Sequence, residues 1–164
     1  MPGTKKNYWL MKSEPDVFSI DRLKARPRQS APWDGVRNFQ ARNFMRAMRR
    51  HDLAFFYHSS CAEPGIAGIV EIAREAYPDS SAWDARSPYY DPRSRPDKPL
   101  WDMVDVRYRR KLKRPIALAE LRANPRLARM PLLARGSRLS IMPVTPEQWA
   151  AILKMESTTS RGKK

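Results

Sequence analysis

The residues of this chain best suited to binding chemistry lie in one run, WDGVRNFQARNFMR, from Trp33 to Arg46. Trp33, Asp34 and Gly35 carry the signature of a tight turn, and Asn38 is a suitable N-cap for the helix that the following spacing predicts over 38–50. On that helix Arg42, Arg46, Arg49 and Arg50 fall on one side, while Phe44, Ala47 and Met48 turn toward a core. A cationic face suits a polyanion. Free backbone N–H groups at a helix start, beside an indole, suit a flat polar ligand such as a nucleobase. The plainer alternative is a core role for Trp33 and a solvated face for the arginines. Both stay open on this segment alone.

Composition bears on that choice. A net charge of +15 on 164 residues is a self-repulsion that an acidic partner offsets, and nucleic acid is the leading class. The length predicts one domain over 1–155, followed by a basic flexible tail over 156–164. Uninterrupted apolar runs fall short of the ~20 residues needed to span a bilayer, and the first residues have no apolar leader region. We therefore expect no membrane partner and an intracellular, cytoplasmic protein, with a monomer favoured. The lone Cys61 fits a reducing compartment. With His51, His58 and Cys61 as its soft ligands, the chain is not expected to hold a structural zinc, and no metal or cofactor is expected.

The elements that must position these residues can be read from apolar periodicity. Residues 8–11 predict a buried strand ending in the tetrad Lys12, Ser13, Glu14, Pro15, whose side chains can face a cleft. Ser19 caps a short helix through Leu23. A hairpin follows, with strands over 53–59 and 66–76 around a turn at Glu63, Pro64 and Gly65; Gly68 marks a bulge or a close approach. Residues 77–99, with five prolines and the aromatics Trp83, Tyr89 and Tyr90, predict an ordered excursion. A strand over 101–112 alternates Val104, Val106 and Tyr108 with Arg107, Arg109 and Lys111, and Pro115 is expected to end it. Then come a short helix over 118–122, a strand over 139–144 and a helix capped by Thr145, Pro146 and Gln148. The pattern is that of an α+β domain on a curved or barrel-like, mostly antiparallel sheet, without the glycine-rich loop of a doubly wound nucleotide fold.

Six ordered segments, among them NYWLMKSEPDVFSI, WDGVRNFQARNFMR, SPYYDP and GSRLSIMPVTPEQW, resemble the EVE domain, a member of the PUA-like superfamily similar in fold to the YTH readers of modified RNA. The resemblance implies a PUA-like β-barrel with flanking helices and a pocket for a modified base in DNA or RNA, such as a methylated or hydroxymethylated cytosine in DNA. It places Ser13, Glu14, Trp33, Asn38, Tyr57, His58, Ser59, Arg138, Leu139 and Ser140 at that pocket.

Those residue types fit the task. An extruded base needs an aromatic platform, for which Trp33 and Tyr57 serve, and edge partners, for which Asn38, Ser13 and Ser59 serve. Arg42, Arg46, Arg49, Arg50, Arg107, Arg109 and Lys111 would hold phosphates without reading sequence. Tyr57 also suits a packing role, His58 an ordinary strand histidine, and Glu14 a strand-end cap. The alternative in another class is a small hydrolase acting on a modified nucleobase, with Lys12, Ser13, Glu14 and His58 in one cleft. A third reading, a protein-interaction module built on the proline-rich excursion, leaves the aromatic turn unexplained.

Overall fold

The computed structural model describes residues 6–136 and 138–157. At its centre β1 (Tyr8–Ser13) and β3 (Leu53–His58) run parallel, in register from Tyr8 opposite Leu53 to Ser13 opposite His58. Both strands are nearly continuous apolar runs because both faces of the sheet are covered here. Trp9, Met11 and Phe56 face one hydrophobic core; Leu10, Phe55 and Tyr57 face the other. The remaining strands are β2 (Ser30–Trp33), β4 (Gly65–Pro78), β5 (Asp102–Ala117) and β6 (Ile141–Val144). All other pairings are antiparallel, in the order β2-β5-β4-β3-β1-β6.

The α+β class and the mostly antiparallel sheet are as the sequence predicts. The sheet does not close on itself: among the described residues no pairing joins β2 to β6. Each edge strand is four residues long and carries an exposed proline, Pro32 or Pro143, which has no N–H to offer a further strand.

Several boundaries differ from expectation for identifiable reasons. Strand β5 runs past Leu112 and Pro115 to Ala117, because Pro115 sits where the register with β4 shifts between the Gly68–Lys111 and Ile66–Ile116 pairs and no ladder N–H is required of it. At Gly68 bulge and close approach coincide: a Cβ there would lie 2.8 Å from the Ile20 side chain and 2.9 Å from the Arg110 carbonyl oxygen. Strand β6 starts at Ile141 rather than Leu139, and residues 30–33, not anticipated as a strand, pair with β5 as β2.

Two helices cover the first core: α1 (Ile20–Ala25), capped by Ser19, and α2 (Phe39–Ala47), capped by Asn38. Helix α2 stops short of the expected Arg50. The buried carboxylate of Asp52 takes the N–H of Arg49 at 2.9 Å and the indole N–H of Trp9 at 3.0 Å, turning the chain toward β3 through His51 at φ +80°. Arg49 and Arg50 therefore leave the helical face. Met45 and Met48 occupy the buried positions, and Ala47 is exposed.

The second core is covered by α3 (Leu118–Ala123) and α4 (Pro146–Glu156), the latter with the expected capping box of Thr145 and Gln148. Glu156, expected in the tail, belongs to α4, where its carboxylate takes the Arg110 guanidinium at 2.7 and 2.9 Å. Residues 158–164 lie outside the described residues. No described helix is long and apolar enough to cross a membrane.

Candidate nucleic-acid-binding cleft

Where β1 and β2 end, the first core opens into a cleft of about 690 Å³. One wall is the end of β1 with Lys12, Ser13 and Glu14, continued by Val17 and Phe18; the other is β2 with the turn after it, from Ala31 to Arg37. Arg26, Tyr89 and Ser140 complete the lining.

Trp33 is only 6% exposed, yet it borders this cleft. Its ring meets Phe56 edge-on at 5.3 Å and Phe18 at 6.4 Å, contacts that fix its orientation. The two readings of Trp33 left open by the sequence are thus one arrangement: part of the ring is core, and part forms a wall. Gly35 follows at φ +81°, and a Cβ on it would sit 2.7 Å from the Tyr89 ring. Only glycine allows that turn and that approach together.

Tyr89 is brought to the cleft from the distant excursion by a buried carboxylate. Asp79 accepts the Gly35 N–H at 2.8 Å, an Arg37 guanidinium N–H at 3.1 Å, and the Ser81 N–H and hydroxyl at 2.9 and 2.6 Å. Arg37 in turn donates to the Tyr89 carbonyl at 2.7 and 3.0 Å and lies over the Tyr89 and Trp101 rings. Charge-assisted bonds of this kind are short and directional, so the Gly35 turn and the Tyr89 loop are locked as one piece.

The cleft perturbs its titratable groups. Burial lowers the pKa of the Lys12 ammonium, whose nitrogen lies 5.9 Å from the centre of the Tyr57 ring. Asp34 is pushed upward, first by loss of hydration between the cleft walls and then by the Asp79 charge. Tyr89 is also raised, by burial and then by Asp34.

Of the residues expected at the pocket, Ser13, Glu14, Trp33 and Ser140 line this cleft. The others do not line it. The Asn38 side-chain oxygen is taken up by the α2 cap, accepting the Ala41 N–H at 2.8 Å. Tyr57 is buried in the second core. His58 accepts the Ile20 N–H on Nε2 at 3.2 Å, and burial holds its pKa down. It therefore supports α1 and does not join Lys12, Ser13 and Glu14 in the cleft. Ser59 donates its N–H to the Ser13 carbonyl, and Ser140 accepts the Lys12 N–H at 2.8 Å, so both brace the end of β1. Leu139 packs against both cores, and Arg138 is exposed. Residues that sequence reasoning did not place here are Phe18, Arg26, Arg37 and Tyr89. The signals for Tyr89 were the aromatic density of the excursion and the SPYYDP segment of the family resemblance.

The cationic surface is less free than its composition suggests. Arg46 is paired with Asp102, and Arg42 donates to the Leu100 carbonyl while lying over the exposed Phe39 ring. Arg107 and Arg109 share Glu71 at 3.9 and 3.2 Å, with His51 on the same carboxylate at 2.6 Å, and Lys111 reaches Asp21 at 2.9 Å. Among the described residues the guanidinium groups of Arg49 and Arg50 form no ion pair, and no cluster of His, Cys, Asp and Glu has the makings of a metal site.

Known proteins resemble the chain over nearly its whole length. Residues 7–155 match the model of the EVE domain. Thymocyte nuclear protein 1 of Mus musculus is 49% identical over 169 residues, covering 93% of this chain and 74% of that protein. A Pseudomonas putida crystal structure superposes with a TM-score of 0.88 at 53% identity, covering 91% of this chain and 99% of that one. The human THYN1 protein, solved in complex with 5-methylcytosine containing DNA, superposes with a TM-score of 0.90 at 48% identity, covering 94% and 99%.

Proposed function

This chain belongs to the EVE domain family, and from that premise we propose that it is a nucleic-acid-binding reader, holding a modified base, in the first instance a modified cytosine in DNA, in the cleft beside Trp33. The observation that carries this reading is the meeting of two aromatic side chains, Trp33 and Tyr89, in one cavity with the polar groups of Ser13, Asp34 and Ser140. Stacking tolerates any base, so selectivity falls to the polar groups at its edge. The locked Gly35 turn means that little ordering is needed when a base enters.

The human relative solved with 5-methylcytosine containing DNA supports the choice of ligand. Lys12 and Arg26 at the cleft, with Arg49 and Arg50 beyond it, would meet phosphates and add affinity that depends on salt and not on sequence. The free thiol of Cys61 fits an intracellular setting.

The test is a titration of labelled oligonucleotides that differ at one position, 5-methylcytosine against cytosine, made as DNA and as RNA. Wild type should prefer the methylated DNA. Tyr89→Ala should weaken that binding by about 1–3 kcal/mol while leaving the unmodified oligonucleotide nearly unaffected. Equal binding of modified and unmodified strands would overturn the reading, and preference for the RNA series would move the ligand from DNA to RNA.

A further inference from the structure

Two aspartates flank the Gly35 turn, and their surroundings differ. Asp79 lies behind the turn, fully buried, its oxygens occupied by Gly35, Arg37 and Ser81. Asp34 lies on the cleft side, directly after Trp33; its carboxylate takes its own backbone N–H, and among the described residues it forms no ion pair. One carboxylate is fully used in holding the loop. The other reaches no further than its own backbone among the described residues, and it stands where the edge of a base beside Trp33 would arrive.

Resting on the reader function proposed above, we infer that Asp34 is the specificity-determining residue by which the cleft accepts amino-bearing pyrimidines and rejects keto-bearing ones. An ionised carboxylate offers only acceptors. Cytosine and its 5-methyl derivative carry an amino group at C4, a donor that matches; thymine carries an oxygen there, which would leave two acceptors face to face. The comparison is sharp because 5-methylcytosine and thymine share the 5-methyl group, so a pocket reading shape alone would admit both. A site built to hydrogen-bond an N–H group discriminates strongly, since the wrong ligand leaves its polar atoms unpaired. Asp34 is also partly stripped of water by the cleft walls, which strengthens a hydrogen bond made there.

Single-stranded DNA oligonucleotides with 5-methylcytosine, cytosine or thymine at one central position test this, using the whole chain as wild type and as Asp34→Asn. Wild type should bind the 5-methylcytosine strand at least about tenfold more tightly than the thymine strand, a good base-edge pair being worth roughly 5- to 150-fold. In Asp34→Asn that ratio should fall below about threefold, largely through a gain for thymine, because an amide can turn its N–H toward the keto oxygen. The melting temperature should move little, as among the described residues the Asp34 carboxylate bonds only to its own backbone. Full 5-methylcytosine over thymine discrimination in Asp34→Asn, or its loss in Glu14→Gln instead, would overturn the assignment; so would a wild type that binds thymine as tightly as 5-methylcytosine. A wild type that binds cytosine and 5-methylcytosine equally but rejects thymine through Asp34 would support this inference while refuting modified-base reading.

Discussion

Trp33 and Trp149 are each 6% exposed, yet they lie on opposite faces of the sheet and serve different ends. Trp149 stacks on Phe55 at 3.9 Å and Tyr8 at 4.5 Å, sealed by its own helix α4. Trp33 is gripped edge-on by Phe18 and Phe56 and borders an open cleft. The sealed face spends its charges on closure, with Glu156 on Arg110 and Glu120 on Arg114 at 2.8 Å. On the open face Asp34, Glu14 and Lys12 form no such pair among the described residues. Burial of an aromatic ring therefore does not separate structure from function; what separates them is whether the surrounding polar groups are spent on one another.

Truncation is the harshest test of that contrast. Trp149→Ala should cost about 3–5 kcal/mol of stability in denaturant unfolding, with oligonucleotide preference intact in the folded protein. Trp33→Ala should cost a similar amount and abolish the preference as well. If Trp149→Ala instead changed 5-methylcytosine selectivity in folded protein, the two faces would not be functionally distinct.

Charge on the sealed face should show next. Glu156→Gln removes the Arg110 pair and weakens acceptance of the Lys113 N–H at 2.6 Å, and should lower stability by about 1–3 kcal/mol without affecting binding. The Arg110 guanidinium holds the Glu156 pKa below the ordinary value of 4.5, and Arg114 and His51 do the same for Glu120 and Glu71. The sign follows from that depression: these groups stabilise fully above their unfolded values and stop doing so as pH falls through the folded ones. Urea midpoints should accordingly drop below about pH 4.5 in wild type, and drop less steeply in Glu156→Gln.

The smallest effects belong to the outer cations. Arg49→Ala and Arg50→Ala should each reduce the slope of log affinity against log salt by up to about 0.9, whereas Arg107→Ala, whose charge is already shared with Glu71, should change it less. An equal change from all three would mean that Glu71 gives up its partners when nucleic acid binds.

The order of the helices, the central apolar strands, the capped starts at Ser19, Asn38 and Thr145, and the polar end of β1 were all legible, because each depends on residues close together in the chain. Extreme positive charge and the aromatic turn likewise pointed to nucleic acid without any knowledge of the fold. The strand end at Pro115 was not legible, since a proline is tolerated there only because a register shift across the sheet excuses its missing N–H. Nor was the division of labour among the candidate site residues. Asn38, His58 and Ser59 have the chemistry of ligand contacts, and tertiary structure engages the Asn38 side-chain oxygen with Ala41, the His58 Nε2 with Ile20 and the Ser59 backbone N–H with Ser13. Tyr89 and Trp33 line one cleft across a long sequence separation only because the buried Asp79 joins Gly35, Arg37 and the excursion at one point. Local sequence determines which groups are available, while long-range packing decides which of them are already spent, because a hydrogen bond used inside the fold is lost to a ligand.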